Sequence, residues 1–120
     1  MIEMTPSQHS LDLTLVALAD PTRRAILQRL TAGEARVTEV AKPFPMSLNA
    51  VSKHIHMLER ANLVRRRRVG REHLLSFAPE PLDEAAAWIA AQRTFWTQRL
   101  DVLAELLKQP DTKTEGTRDE

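Results

Sequence analysis

The sequence contains no cysteine among its 120 residues. This absence excludes disulfide bonds and metal sites built from thiolates. Glycine is also scarce, with three residues in all, and the sequence has no glycine-rich loop of the kind that cradles phosphates. No nucleophile is paired with a base in the sequence, and no cluster of metal ligands stands out. The sequence therefore argues against an enzyme and indicates no cofactor and no bound metal.

Long apolar runs and aromatic residues are lacking as well. No uninterrupted apolar run approaches the length that spans a membrane, and the N-terminus lacks the basic-then-apolar order of a signal peptide. Aromatic residues make up only 4% of the chain, so the core must be aliphatic and modest, which leaves room for stabilisation by a second subunit. The length argues for one domain. We expect a cytoplasmic protein with no membrane partner.

The charge is distributed unevenly along the chain. The net charge of +1 combines a basic middle with two acidic ends. From residue 23 to residue 77 there are 12 Lys and Arg against 4 Asp and Glu, a balance of +8. The preceding segment carries −3 and the following segment −4, which restores the total of +1. A basic middle between acidic ends favours a polyanionic partner.

One stretch of the basic middle, from Ser47 to Asn62, has the pattern of an amphipathic helix. Ser47 is a good N-cap, and Asn62 can adopt the left-handed conformation that closes a helix. The predicted buried stripe is Leu48, Val51, Ile55 and Leu58. The predicted outward face is Asn49, Lys53, His56, Met57 and Arg60. No acidic residue precedes Glu59 in this stretch, so the outward face can lie against phosphates and base edges.

Three shorter helices are predicted before this stretch. The first contains Leu11, Leu13, Leu15, Val16 and Leu18 and is apolar on more than one side. The second begins with Asp20 as N-cap and Pro21 at the first helical position, buries Ile26, Leu27 and Leu30, and stops at Gly33. The third, residues 37–42, must end at the prolines that follow it. A short helix, a tight turn and a longer helix with a polar face make a helix-turn-helix.

Two short strands around a glycine turn are predicted after Asn62. They cover residues 63–69 and 72–77, with Gly70 and Arg71 between them. His73, Leu75 and Phe77 alternate onto one face of the second strand. The first strand holds four consecutive arginines, which can grip phosphates or enter the minor groove. An arginine-rich hairpin after a helix-turn-helix is a wing, although charge also serves to keep an edge strand from aggregating.

A long last helix is predicted from Asp83 to about Gln109, separated from the wing by Pro79 and Pro81. At 1.5 Å per residue it would be about 40 Å long, more than so small a domain can cover. We therefore expect it to form a dimer interface with the first helix. The expected interface residues are Leu11, Leu15, Leu18, Trp88, Phe95, Trp96, Leu100, Leu103 and Leu107. The predicted domain spans 8–109, and the polar segment 110–120 is expected to be disordered.

Three segments, ALADPTRRAILQRL, LNAVSKHIHMLERANLV and RRRRVGREHLLSF, closely resemble the ArsR/SmtB family of bacterial winged-helix repressors. The resemblance covers about 11–107 and implies a mainly α fold with a small β-hairpin. It also implies a homodimer, joined through its first and last helices, that binds an inverted repeat in double-stranded promoter DNA. Carried over by position, the DNA-binding residues fall on Ser47, Asn49, Ala50, Ser52, Lys53, Arg65, Arg66, Arg67, Arg68 and Arg71. The helical register agrees for Asn49 and Lys53, places Ser52 on the flank and adds His56.

The sequence differs from the metal-sensing members of the ArsR/SmtB family. Those members carry cysteines on the third helix, or Asp and His sets on the last, and this sequence has neither. His54 and His56 are two residues apart, so they diverge on a helix. The expected function is a dimeric repressor of its own operon without a metal response. A winged-helix module that binds protein without specific DNA binding is the alternative. Neither the operator nor a small-molecule effector is indicated by the sequence.

Overall fold

The computed structural model of the protein describes residues 6–108. Within this range it has five helices and three strands: α1 Pro6–Leu18, α2 Pro21–Leu30, β1 Ala35–Arg36, α3 Val37–Ala41, α4 Leu48–Arg60, β2 Val64–Val69, β3 Glu72–Phe77 and α5 Glu80–Lys108. This order confirms the predicted class, mainly α with a small β-hairpin and a helix-turn-helix. The predicted disordered tail, 110–120, and position 109 lie outside the described residues.

The helix boundaries follow from local capping. The Asp20 carboxylate accepts hydrogen bonds from the backbone N–H groups of Thr22 and Arg23, at 2.8 and 3.1 Å, and Pro21 opens α2. The Ser47 hydroxyl accepts from the N–H of Ala50 at 3.1 Å, so Ser47 is the N-cap of α4. Each cap satisfies backbone donors that have no partner inside the helix.

The core lies where α1, α2 and α4 pack together and meet the sheet. Val51, Ile55 and Leu58 of α4 are fully buried, as the stripe predicted. The prediction was wrong for Leu48, whose surface is 52% exposed. Leu48 is the first residue of α4, one turn before Val51, and there it lines a surface cleft with Val37 and Thr38 instead of the core.

The end of α4 and the wing hairpin agree with the sequence. Asn62 has a φ of 61°, the left-handed conformation predicted for the helix end. Strands β2 and β3 pair antiparallel from Val64 opposite Phe77 to Val69 opposite Glu72, and Gly70 turns the chain with a φ of 64°.

The sequence analysis missed strand β1. Its two residues, Ala35 and Arg36, pair antiparallel with Leu75 and Leu74, so β3 is the central strand of a three-stranded sheet. Two residues are too few to show the alternation by which a strand is predicted. Leu75, on the predicted inner face of β3, is fully buried.

Helix α5 begins at Glu80, between the two prolines that were expected to precede it. Pro81 fits in its first turn, where a missing N–H costs no helical hydrogen bond. Residues up to Ala85 belong to one compact unit and residues from Ala86 onward to another. In the second unit the following side chains are between 48% and 78% exposed: Trp88, Ile89, Phe95, Trp96, Leu100, Val102, Leu103, Leu106 and Leu107.

Among residues 6–108, no helix combines the length and the apolar character that crossing a membrane requires.

The contrast between Ile55 and Leu48 gives a stability test within one helix. We expect Ile55→Ala to lower the free energy of unfolding by about 2–5 kcal/mol, because it leaves a cavity in the core. The matched variant Leu48→Ala should change it by no more than about 0.5 kcal/mol, because this side chain already contacts solvent. Urea unfolding at one fixed protein concentration measures both. Equal losses would contradict the assignment of Leu48 to the surface.

Candidate nucleic-acid interface

The outward face of α4 is exposed, as its sequence pattern predicted. Asn49, Lys53, His56, Met57 and Arg60 are all exposed, and the flanking Ser52 is partly buried. Helix α3 packs against α4 across the turn, which leaves this face free of the core. Its surface thus combines an amide, an ammonium, an imidazole and a guanidinium, and such groups can donate to base edges and phosphates. That these residues contact DNA stays a prediction.

Arg23 links α4 to the end of α1. Its guanidinium donates to the carbonyl oxygens of Ala17 and Val16 at the end of α1, at 2.8 and 2.9 Å, and lies 3.2 Å from His54 Nδ1. One side chain therefore ties the carbonyl end of α1 to α4. The backbone N–H of Arg23 also lowers the pKa of Asp20, with smaller contributions from the Thr22 N–H and the charges of His54 and Arg23.

His54 and His56 point to different surroundings. His54 faces Arg23 and Asp20, whereas the exposed His56 has its Nδ1 3.3 Å from a carboxylate oxygen of Glu59. The two imidazoles therefore diverge, as their spacing of two residues predicted. Across the described part of the chain, no three His, Asp or Glu side chains converge as metal ligands do.

The wing arginines divide between the two faces of β2, because side chains alternate along a strand. Arg65 and Arg67 occupy one face. Arg65 lies 3.3 Å from Glu80, and Arg67 makes two hydrogen bonds to Glu34 at 3.0 and 2.9 Å. The hydrogen bond from Arg67 lowers the pKa of the Glu34 carboxyl below its usual value.

Arg66 and Arg68 occupy the other face of β2. Arg66 makes two hydrogen bonds of 3.0 Å to Glu59, the acidic residue near the end of α4, and this carboxylate raises the pKa of Arg66. Arg68 donates to the carbonyl oxygen of Gly70 at 3.0 Å. Arg71, in the turn, forms no hydrogen bond or ion pair with any residue in the range 6–108.

The predicted arginine cluster is therefore not one uniform cationic surface. Three of its five members are bound to carboxylates of the same chain, a distribution that the sequence analysis did not foresee. Arg68 and Arg71 have no carboxylate partner within the described residues and are the wing cations most open to a phosphate.

A cleft of about 350 Å³ opens between the wing and the helix-turn-helix. Ser52 of α4 and Arg71 of the wing line it, and Arg36, Thr38 and His73 join them from β1, α3 and β3. Arg36 donates to Glu72 at 2.9 Å, and His73 Nδ1 is buried without a partner in the described part of the chain. The sequence analysis did not place Arg36 and Thr38 beside the wing, because only the pairing of β1 with β3 brings that segment there.

Comparison with known proteins identifies the type of domain. Residues 18–67 match a family model described as a helix-turn-helix domain. The chain is 41% identical over 95 residues to an HTH-type transcriptional regulator of Mycobacterium tuberculosis, covering 76% of this chain and 82% of the relative. It is 30% identical over 73 residues to the transcriptional repressor SdpR of Bacillus subtilis, covering 61% and 81%.

Solved structures show the same relationship. A crystal structure of an ArsR family transcriptional regulator matches with 42% identity and a TM-score of 0.72, over 80% of this chain and 97% of the other. An ArsR-like transcriptional regulator from Rhodococcus sp. RHA1 matches with 26% identity and a TM-score of 0.75, over 85% and 96%. The similarity therefore extends over nearly the full length of these proteins.

Proposed function

The chain belongs to the ArsR family of winged helix-turn-helix transcriptional regulators, and we propose that it is a homodimer that represses its own operon by binding an inverted repeat. It is a regulator that binds double-stranded DNA and not an enzyme. The observation that carries the proposal is the exposed polar and basic face of α4 beside two wing cations without carboxylate partners in the described chain.

In this proposal α4 reads bases from the major groove. Asn49 and Lys53 lie in the first two turns of α4, on its outward face. An Asn amide can pair with adenine through two hydrogen bonds, and a Lys ammonium can donate to guanine. His56 is one turn further along the same face. Ser47, Ala50 and Ser52, at the N-terminal end of α4, would contact the DNA sugar-phosphate backbone or pack against bases.

The wing would hold the phosphate backbone mainly through Arg68 and Arg71. The sequence predicted all five wing arginines as contacts. The carboxylate partners of Arg65 and Arg67, on the other face of β2, support a smaller role for these two. DNA would have to break an existing ion pair to engage either of them, whereas Arg71 has no partner to lose within residues 6–108.

Two double variants with the same change in charge test this division of the wing. Replacing Arg68 and Arg71 by Gln should flatten the plot of log affinity against log salt by about 1.8, because each lost phosphate contact removes about 0.9. Replacing Arg65 and Arg67 by Gln should leave the slope nearly unchanged. The DNA is a duplex that the wild type enriches from a random pool, and fluorescence anisotropy gives the affinity.

Equal slopes for both variants and the wild type would remove the wing from the DNA interface. That result, together with failure to enrich any sequence from the pool, would favour the protein-binding module predicted as the alternative.

The dimer proposal is supported by the apolar surface of α5. At 100° per residue, the exposed apolar residues after Ala86 share one side of the helix, and Thr97 and Asp101 lie on the other. Within that surface the Phe95 and Trp96 rings meet edge to face, 5.9 Å between centroids. An apolar stripe of this extent on a soluble protein marks an interaction surface. Leu15 of α1 is 39% exposed, which leaves part of that helix to be covered as well.

Trp96→Glu should convert the proposed dimer to a monomer, because it places a charge among apolar side chains at the interface. The monomer should bind the selected duplex much more weakly, since one winged helix reaches only half of an inverted repeat. Thr97→Glu adds the same charge on the polar side of α5 and should leave both properties unchanged. Sedimentation velocity and anisotropy measure them.

A wild type that sediments as a monomer at micromolar concentration would refute the dimer. The interface would be assigned wrongly if Trp96→Glu stayed dimeric.

We also propose that the regulator has no metal switch, because the sequence has no cysteine and because His54 and His56 diverge. Zinc sites need about four converging ligands. Zinc or arsenite at micromolar concentration should leave the selected duplex bound, as measured by anisotropy. Release of the DNA at that concentration, reversed by a chelator or a thiol, would contradict this proposal.

A further inference from the structure

Glu59 and Arg66 link the recognition helix to the wing. Arg66 Nε donates to one carboxylate oxygen of Glu59 and Nη2 to the other, both at 3.0 Å. This two-pronged geometry restricts orientation as well as distance. Both side chains are largely shielded from solvent, with 23% of Glu59 and 27% of Arg66 exposed. We refer to this pair as the Glu59–Arg66 clasp.

The clasp lies where it can set the position of the wing. The chain between α4 and β2 is only three residues long, 61–63, and reverses through the left-handed Asn62. The clasp adds a side-chain tie across this short connection. Arg68 is on the same face of β2, two residues closer to the wing tip, or about 6.6 Å along the strand. A tilt of the wing at Arg66 would therefore displace Arg68 relative to α4.

The clasp also occupies the charge of Arg66. A guanidinium held by a carboxylate is not available to a phosphate without breaking two hydrogen bonds. The same carboxylate lies 3.3 Å from Nδ1 of His56, on the outward face of α4. Glu59 thus contacts one wing cation and one side chain of the proposed base-reading face.

We propose that Glu59 is a positioning residue that determines DNA specificity. Through Arg66, Glu59 holds the wing at the position relative to α4 that binding of one DNA sequence requires. It also prevents Arg66 from binding phosphates, which are the same in every DNA sequence. This inference rests on the proposed function, namely selective binding of one DNA sequence. Phosphate contacts position a protein on DNA but carry no sequence information, so releasing Arg66 should favour all sequences alike.

Glu34 provides a matched control. It also binds an arginine of β2 through two hydrogen bonds, at 3.0 and 2.9 Å, and Glu34→Gln changes the net charge by the same amount as Glu59→Gln. Glu34, however, lies in the loop between α2 and β1 and holds Arg67 on the opposite face of the wing. Glu59→Gln breaks an ion pair between the wing and α4, whereas Glu34→Gln breaks an ion pair between the wing and the loop before β1.

The experiment measures affinities for two duplexes, one enriched by the wild type from a random pool and one with the same composition scrambled. For Glu59→Gln we expect the ratio of the two affinities to fall by about tenfold, equivalent to about 1.4 kcal/mol. Binding to the scrambled duplex should become more salt-dependent, by a slope of about 0.9 for one added phosphate contact. Glu34→Gln should change the ratio by less than about twofold.

Arg66→Gln separates positioning from charge and also serves if Glu59→Gln does not fold. It breaks the clasp without releasing a cation. The ratio of the affinities for the selected and the scrambled duplex should therefore fall, while binding to the scrambled duplex should become no more salt-dependent. Loss of a simple phosphate contact would instead weaken both duplexes equally and preserve the ratio. Thermal unfolding of each variant checks that the fold is retained.

The possible failures are distinguishable. A wild type that enriches no sequence refutes the proposed function itself. A wild type that enriches one sequence, with Glu59→Gln and Arg66→Gln both keeping the wild-type ratio, refutes the role of Glu59 alone.

Discussion

The way α4 is held by the rest of the domain underlies the base contacts proposed for this protein. Val51, Ile55 and Leu58 are completely buried on its inner side, so rotation about its axis would expose a large part of the core. Arg23 adds a polar constraint by joining the end of α1 to His54. Because both apolar and polar contacts hold α4 in place, its outward side chains are presented in one orientation. Base recognition needs this, because hydrogen bonds to base edges tolerate little displacement.

Electrostatics then divide the basic region into bound and available cations. The middle of the chain carries eight excess positive charges, yet several arginines are engaged by carboxylates of the same unit. These pairs reduce the number of arginines that are free to attract a polyanion. Exposed ion pairs of this kind contribute little to stability. Their effect here is on which cations of the described chain remain without a carboxylate partner, among them Lys53 and Arg60 on α4 and Arg68 and Arg71 on the wing.

The long last helix imposes a different constraint. Its two tryptophans and several leucines face solvent in a continuous stripe beyond Ala86. Arg99 stacks over Phe95 at 5.2 Å, which covers only a small part of this surface. Association of two copies would remove the stripe from water and would also double the proposed base-reading face. Hydrophobic burial and recognition of a two-fold repeat are thus two consequences of one proposed contact.

The sequence by itself determined the features that depend on neighbours a few residues apart. The caps at Asp20 and Ser47, the turn at Gly70 and the inward turns of α4 are of this kind, because a side chain there acts on backbone one turn away. Only the tertiary structure decided the exposure of Leu48, the existence of β1 and the partner of each wing arginine. Glu34 and Arg67 are 33 positions apart, and Arg36 and Glu72 are 36. Such pairs depend on which strands are neighbours and on the register of their pairing. No local pattern in the sequence predicts the neighbours or the register.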